Sequence, residues 1–123
     1  MKRVFVLTVS LIASATAYGH HSFSAEFDAE KYISVTGTVS EVRYRNPHVQ
    51  YFLDVDSDGQ VTQWIVAGQN VVVMRRSGVS ADTVRVGDQI TISGYAGRNG
   101  SRKVYLDSME TAGHADAKAT ISK

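Results

Sequence analysis

The sequence contains no cysteine. That excludes disulfides, iron–sulfur clusters, thiolate metal sites and thiol nucleophiles. Any metal would have to be held by histidine, carboxylate, backbone or the amino terminus. Methionine is scarce at three residues, which argues against a soft thioether Cu(I) site. No apolar run approaches the roughly 20 residues that a membrane-spanning helix needs, so no membrane anchor is expected. The chain also lacks G-x-S-x-G, H-E-x-x-H and P-loop motifs. No spacing of serine, histidine and acid selects a catalytic triad.

What is present begins with a leader. Lys2-Arg3, then VFVLTVSLIA, then SATA give a charged region, an apolar core of about 10 residues and a cleavage signal, the layout of a secretory signal peptide. Cleavage after Ala17 starts the mature chain at Tyr18, and cleavage after Gly19 starts it at His20; both fit. The expected organisation is a signal peptide over 1–19, one domain over 20–110 and a flexible tail over 111–123, rich in Ala, Lys and Ser. The expected location is periplasmic or secreted. Removing 1–19 leaves 104 of the 123 residues, enough for one small domain. It also lowers the basic count from 13 to 11 against 12 acidic residues. A mature net charge of −1 gives no broad attraction for a polyanion, so nucleic acid is not an expected partner.

From Tyr32 onward the pattern is strands separated by turn residues. Ile33, Val35, Gly37 and Val39 share one face, and the apolar phase then shifts to Val42 and Tyr44. A β-bulge near Ser40-Glu41 produces such a shift. Asn46-Pro47 ends the run. HVQYFLDV puts Val49, Tyr51, Leu53 and Val55 on one face, DSDG supplies an Asp-Gly hairpin turn, and QVTQWIVA returns. In GQNVVVMRRSG, Asn70 as a cap, Arg75-Arg76 in the last turn and Gly78 as a stop predict one short helix. VRVGDQITISGY is a strand with Ile90 and Ile92 inward, GRNGSRK carries an Asn-Gly turn, and VYLDSME closes the set. Three strands, a helix and two strands, with the first strand bulged, is the order of a mostly-β, five-stranded OB-like barrel. A small open sandwich is the alternative.

DVDSDG matches the first half of a calcium loop, but the twelfth position counted from Asp54 is Ile65, inside an apolar strand. The loop needs a bidentate acid there, so the hairpin reading stands. The scattered arginines, with Tyr44, Phe52 and Trp64 as stacking platforms, could form a single-strand binding face. In a mildly acidic exported chain they read instead as solvated barrel surface. Tyr44, Phe52 and Trp64, with Asn46 beside them, then form a candidate face for a peptide, glycan or small ligand.

His20, His21 and His48 remain. Neighbouring side chains in an extended chain point to opposite faces, so His20 and His21 do not easily grip one ion alone. A free amine changes this. With His20 first, its amine and Nδ1 chelate, and one more imidazole completes a three-nitrogen plane. With Tyr18 first, Tyr18-Gly19-His20 offers four nitrogens in a square. Tetragonal nitrogen sites suit Cu(II) before Ni(II). His48 falls opposite Val49, Tyr51 and Leu53 and should leave the core, on a loop that is one of the usual binding edges of an OB barrel. The segment Ser22–Lys31 separates the terminus from the first strand and could reach back to that loop.

HHSFSAEFD, then VTGTVSEVRYRNPH, Trp64, RRSGV, VGDQITISGY and NGSRK together resemble a family of small exported bacterial proteins of unknown function. Its members carry an HHSF start after the signal and a central Asn-Pro-His motif. The resemblance runs from His20 to about Glu110. His20, His21, Ser22 and Phe23 match the opening, Asn46, Pro47 and His48 the central motif, and Trp64 the strand aromatic. Ala67 stands where an acid is usual, and Val79 where an aromatic is common. The resemblance implies an exported OB-like domain and brings no activity.

Three functions follow as expectations. The first is a Cu(II)-binding protein using His20 and His48, with His21 nearby but off the ion. The second is a metal-free ligand or protein-interaction module. The third is a copper mono-oxygenase with an N-terminal histidine brace, which needs an open position on the metal. Binding ranks above catalysis.

Overall fold

Period-two alternation turns most of the chain into strands. The computed structural model describes residues 21–111 and 118–121. A short helix α1 (His21–Glu26) leads into a long strand β1 (Phe27–Arg43), then the hairpin β2 (Gln50–Ser57) and β3 (Gln60–Ala67). Helix α2 (Val71–Arg76) follows, then the hairpin β4 (Gln89–Gly97) and β5 (Lys103–Thr111), and last β6 (Lys118–Thr120). The sheet order is β3-β2-β1-β4-β5-β6, and a short parallel pairing of β3 with β5 closes the barrel.

β1 serves both halves of the barrel. It pairs with β4 up to Thr38 and with β2 from Thr38 to Arg43. One strand can do this only by bending, and two devices bend it. The register slips between Val39 and Glu41, the expected bulge. At Gly37 a Cβ would lie 2.8 Å from the Asp54 carbonyl oxygen, so the close crossing over β2 requires glycine. Both hairpin loops hold a left-handed pair: Asp58-Gly59 (φ 55° and 83°) makes the tight two-residue β2–β3 turn, and Asn99-Gly100 (φ 57° and 70°) lies within the longer loop between Gly97 and Lys103.

The inward residues of every barrel strand meet in one core. Val39, Val49, Tyr51, Leu53, Val66, Ile90, Ile92, Val104 and Leu106 are all buried. Each aliphatic side chain removed from water contributes roughly 1.5–3 kcal/mol. Helix α2 closes one end. Asn70 caps it, its side chain accepting from Val73 N at 3.0 Å. Gly78 (φ 84°) stops it, with Val79 N bonded to Met74 O and Gly78 N to Arg75 O, a Schellman ending. That ending points Met74 and Val79 into the core, where both are fully buried.

Two expectations fail at the ends of the domain. The segment Ser22–Lys31 is no free spacer, because it belongs to α1 and to the start of β1. β1 opens at Phe27 rather than Tyr32, and the register against β4 jumps between Phe27↔Gly97 and Tyr32↔Tyr95. The residues looped out there are mostly exposed and polar, so they show no alternation. The tail is also not wholly flexible, and the barrel carries a sixth strand. β6 pairs with β5 through Ser108↔Thr120, Met109↔Ala119 and Glu110↔Lys118, satisfying backbone groups that a bare edge would leave open. Ile121 beyond it is 2% exposed and joins the core.

Candidate functional site

The HHSF motif has a structural task. The Phe23 ring sits 4.9 Å from Tyr105, 5.7 Å from Phe27 and 5.9 Å from Tyr95, ring centre to ring centre. The rings of Tyr95 and Tyr105 meet Phe23 edge to face and that of Phe27 stacks on it, and such contacts add to the burial of apolar area. Arg98 Nε donates to Ser24 O at 2.7 Å, and Lys103 Nζ reaches Glu26 at 3.2 Å. These ties hold α1 on the outside of the β4–β5 hairpin. Burial of the Tyr105 phenol raises its pKa above the ordinary 10.0. His21 opens α1, and His20 lies outside the described residues.

The Asn-Pro-His motif is partly structural too. The Asn46-Pro47 peptide is cis. Asn46 Oδ1 accepts from Val71 N at 3.0 Å, so Asn46 and Asn70 between them satisfy two of the orphan N–H groups at the start of α2. The side-chain oxygen of Asn46, a candidate ligand contact on sequence grounds, is thus engaged within the fold. Gly68 N to Val49 O (2.7 Å) and Val49 N to Gln69 O (2.9 Å) zip the loop to the end of β3. His48 is exposed, on the outward side that alternation assigns it. Its imidazole has no partner among the described residues, where no group of three or more His, Asp or Glu is placed to hold a metal. Gln50 pairs with Ala67, and Ala67 with Tyr105. The His48 loop and the α1 anchor thus lie two strand spacings apart, about 10 Å across the sheet.

The expected aromatic face does not assemble. Leu53 pairs with Trp64 and Phe52 with Ile65, so Phe52 and Trp64 point to opposite sides of the hairpin. Phe52 faces outward and is still only 8% exposed, because the Arg43 guanidinium lies 4.5 Å above its ring. Tyr44 packs on the core, and its hydroxyl donates to Val79 O at 2.6 Å.

Trp64 leads to a different place. It is half-buried, on the wall of an open groove of about 580 Å³ at the β2–β3 turn end of the barrel, away from α2. Ile33, Val35 and Val55 complete the apolar lining, and Ser57, Gln60 and Arg102 stand at the rim. Ser34 and Thr36, which also line it, already bond Ser93 (3.1 Å) and Thr91 (2.8 Å). Of the groove residues only Trp64 was a candidate from sequence. The aliphatic ones share the inward phase and read as core, and alternation does not tell which end of a barrel stays open.

A closed, bulged β-barrel with a helix across one end and an aromatic-walled mouth at the other is an OB-type barrel. The chain belongs to a family of unknown function, DUF6152, whose model matches residues 8–105. No curated protein matches it. Among solved structures it is similar to the mitochondrial single-stranded DNA-binding protein of S. cerevisiae, with 14% identity over 66% of this chain and 92% of that one, at a TM-score of 0.52. It is also similar to a small single-stranded DNA-binding protein of Streptomyces coelicolor, with 19% identity over 66% of this chain and 91% of that one, at a TM-score of 0.46. At 14% identity the likeness to the first is one of fold alone.

Proposed function

We propose that this is an exported OB-type binding protein whose small ligand sits in the groove beside Trp64. The observation that carries the reading is the placement of the chain's single tryptophan. It faces inward yet stays half-open, on the wall of a cleft within the roughly 300–1,000 Å³ of small-molecule sites. A small ligand fits better than a nucleic acid, since Phe52 is capped by Arg43 and the mature charge is −1. A thermal-shift screen of the mature protein against small apolar and amphipathic compounds tests this. Thr62→Phe, which fills the groove from its wall, is the control. A ligand at 100 times its Kd adds about 2.7 kcal/mol of stability, or roughly 10 °C or more for a domain of this size. Hits that the control loses support the reading; no hits, or hits equal in both proteins, refute it.

A second reading keeps Cu(II) at the mature terminus with His20 and His48. It is supported by the motif itself. Asn46 has a task in the fold, whereas His48 is exposed and unpartnered among the described residues. Phe23 also holds α1, the helix that opens at His21, against Tyr105, two strand spacings from the His48 loop. Cu(II) titration followed by electron paramagnetic resonance, on correctly cleaved protein and on protein with one extra N-terminal residue, tests it. His48→Ala should change affinity or spectrum; an unchanged signal removes His48 from the site.

A further inference from the structure

We infer that the groove takes a small organic anion with an apolar body, its anionic head held by Arg102; the inference rests on the groove being the ligand site. Charge carries it. Ile33, Val35, Val55 and Trp64 offer apolar wall, and among the described residues the one charged side chain lining the groove is that of Arg102. Its guanidinium is exposed and has no ion-pair partner among the described residues, where the ion pairs are Arg43 with Glu41 and Lys103 with Glu26.

Among the described residues no carboxylate lines the groove. Asp54 and Asp56 sit on the same strand as Val55, but alternation sends their side chains to the opposite face. Asp56 Oδ1 there accepts from Gly59 N at 2.8 Å. A guanidinium beside apolar wall, with no acid among the described residues paired to it, is complementary to a carboxylate or sulfonate on a hydrocarbon or aromatic body. The fork of donors makes paired charge-assisted bonds to such a head. The body covers Trp64 and the aliphatic wall.

Trp64 is also the natural reporter, being the only tryptophan in the chain. Decanoate and decanamide, equal in length and differing in charge, are titrated below micelle formation while Trp64 emission is followed. Arg102→Gln removes the charge and keeps the backbone bond from Ile65 N to Arg102 O (2.9 Å). Arg76→Gln, on exposed α2 surface, is the control. Decanoate should shift Trp64 emission saturably and bind at least tenfold more tightly than decanamide. Arg102→Gln should abolish that preference and leave decanamide binding unchanged; Arg76→Gln should change neither. Equal affinity for the two probes, or an unaltered preference in Arg102→Gln, overturns the anion assignment while leaving the groove as a site. No response to either probe overturns both.

Discussion

Replacing Phe23 by alanine should release α1 and leave the barrel standing. Phe23 is half-buried and touches three rings, of Phe27, Tyr95 and Tyr105. A fully buried Phe→Ala change costs about 3–5 kcal/mol, so about 2 kcal/mol is the scale for a half-buried one. The remaining ties are weaker. The Arg98–Ser24 bond contributes about 1 kcal/mol, and the exposed Lys103–Glu26 pair lies in a class worth about 0–1 kcal/mol. A six-residue helix has no stability of its own, since isolated helices shorter than about 12 residues are marginal in water. In Phe23→Ala, α1 should therefore detach as a unit. Hydrogen exchange read by mass spectrometry should show 21–26 losing protection while β4 and β5 keep theirs. Tyr105, uncovered, should titrate closer to 10.0 than in the parent protein. Retained protection over 21–26 would refute the claim that Phe23 is the anchor. Loss across the whole barrel would refute the claim that α1 is an appendage.

Gly94→Ala should be among the most damaging small changes, because its Cβ would collide with the Tyr105 carbonyl where β4 and β5 cross at a bulge. A drop of 3 kcal/mol or more is expected, on the order of the upper range for overpacking, and urea unfolding measures it. Tyr51→Phe should leave stability at neutral pH unchanged or raise it by about 1 kcal/mol, since the buried Tyr51 hydroxyl has no hydrogen-bond partner among the described residues. The same phenol has its pKa pushed well above 10.0 by burial. The unfolded chain therefore ionises first, and stability that is complete below pH 10 is lost above it. Tyr51→Phe should remove about 1.4 kcal/mol per pH unit from that alkaline slope; identical slopes would contradict it. Asn46→Ala should cost about 1 kcal/mol through the lost bond to Val71 N and raise exchange at the start of α2.

What was legible in the sequence was what local chemistry decides. Alternation located β2 to β5, the phase shift at Ser40-Glu41 located the bulge, and Asp-Gly and Asn-Gly located both hairpins. Asn70 and Gly78 bracketed α2 correctly. The misses are non-local. Phe23 acquires meaning only when Tyr95 and Tyr105 arrive more than 70 residues later, and β6 only when β5 offers an edge. The separation of Phe52 from Trp64 was readable in principle. A two-residue Asp58-Gly59 turn sets Ser57 opposite Gln60, and counting back sets Leu53 opposite Trp64, which puts Trp64 on the core side. The open mouth was not readable, because it depends on how far β1 curls past the β2–β3 hairpin.

The most direct test of the groove as the binding site is an amide and indole N–H chemical-shift map of the mature protein titrated with decanoate. Shifts should concentrate at Ile33, Val55, the Trp64 indole and Arg102, the residues around the mouth. Shifts confined to Phe52, Gln63 and Ile65, on the outer face of the same hairpin, would contradict it.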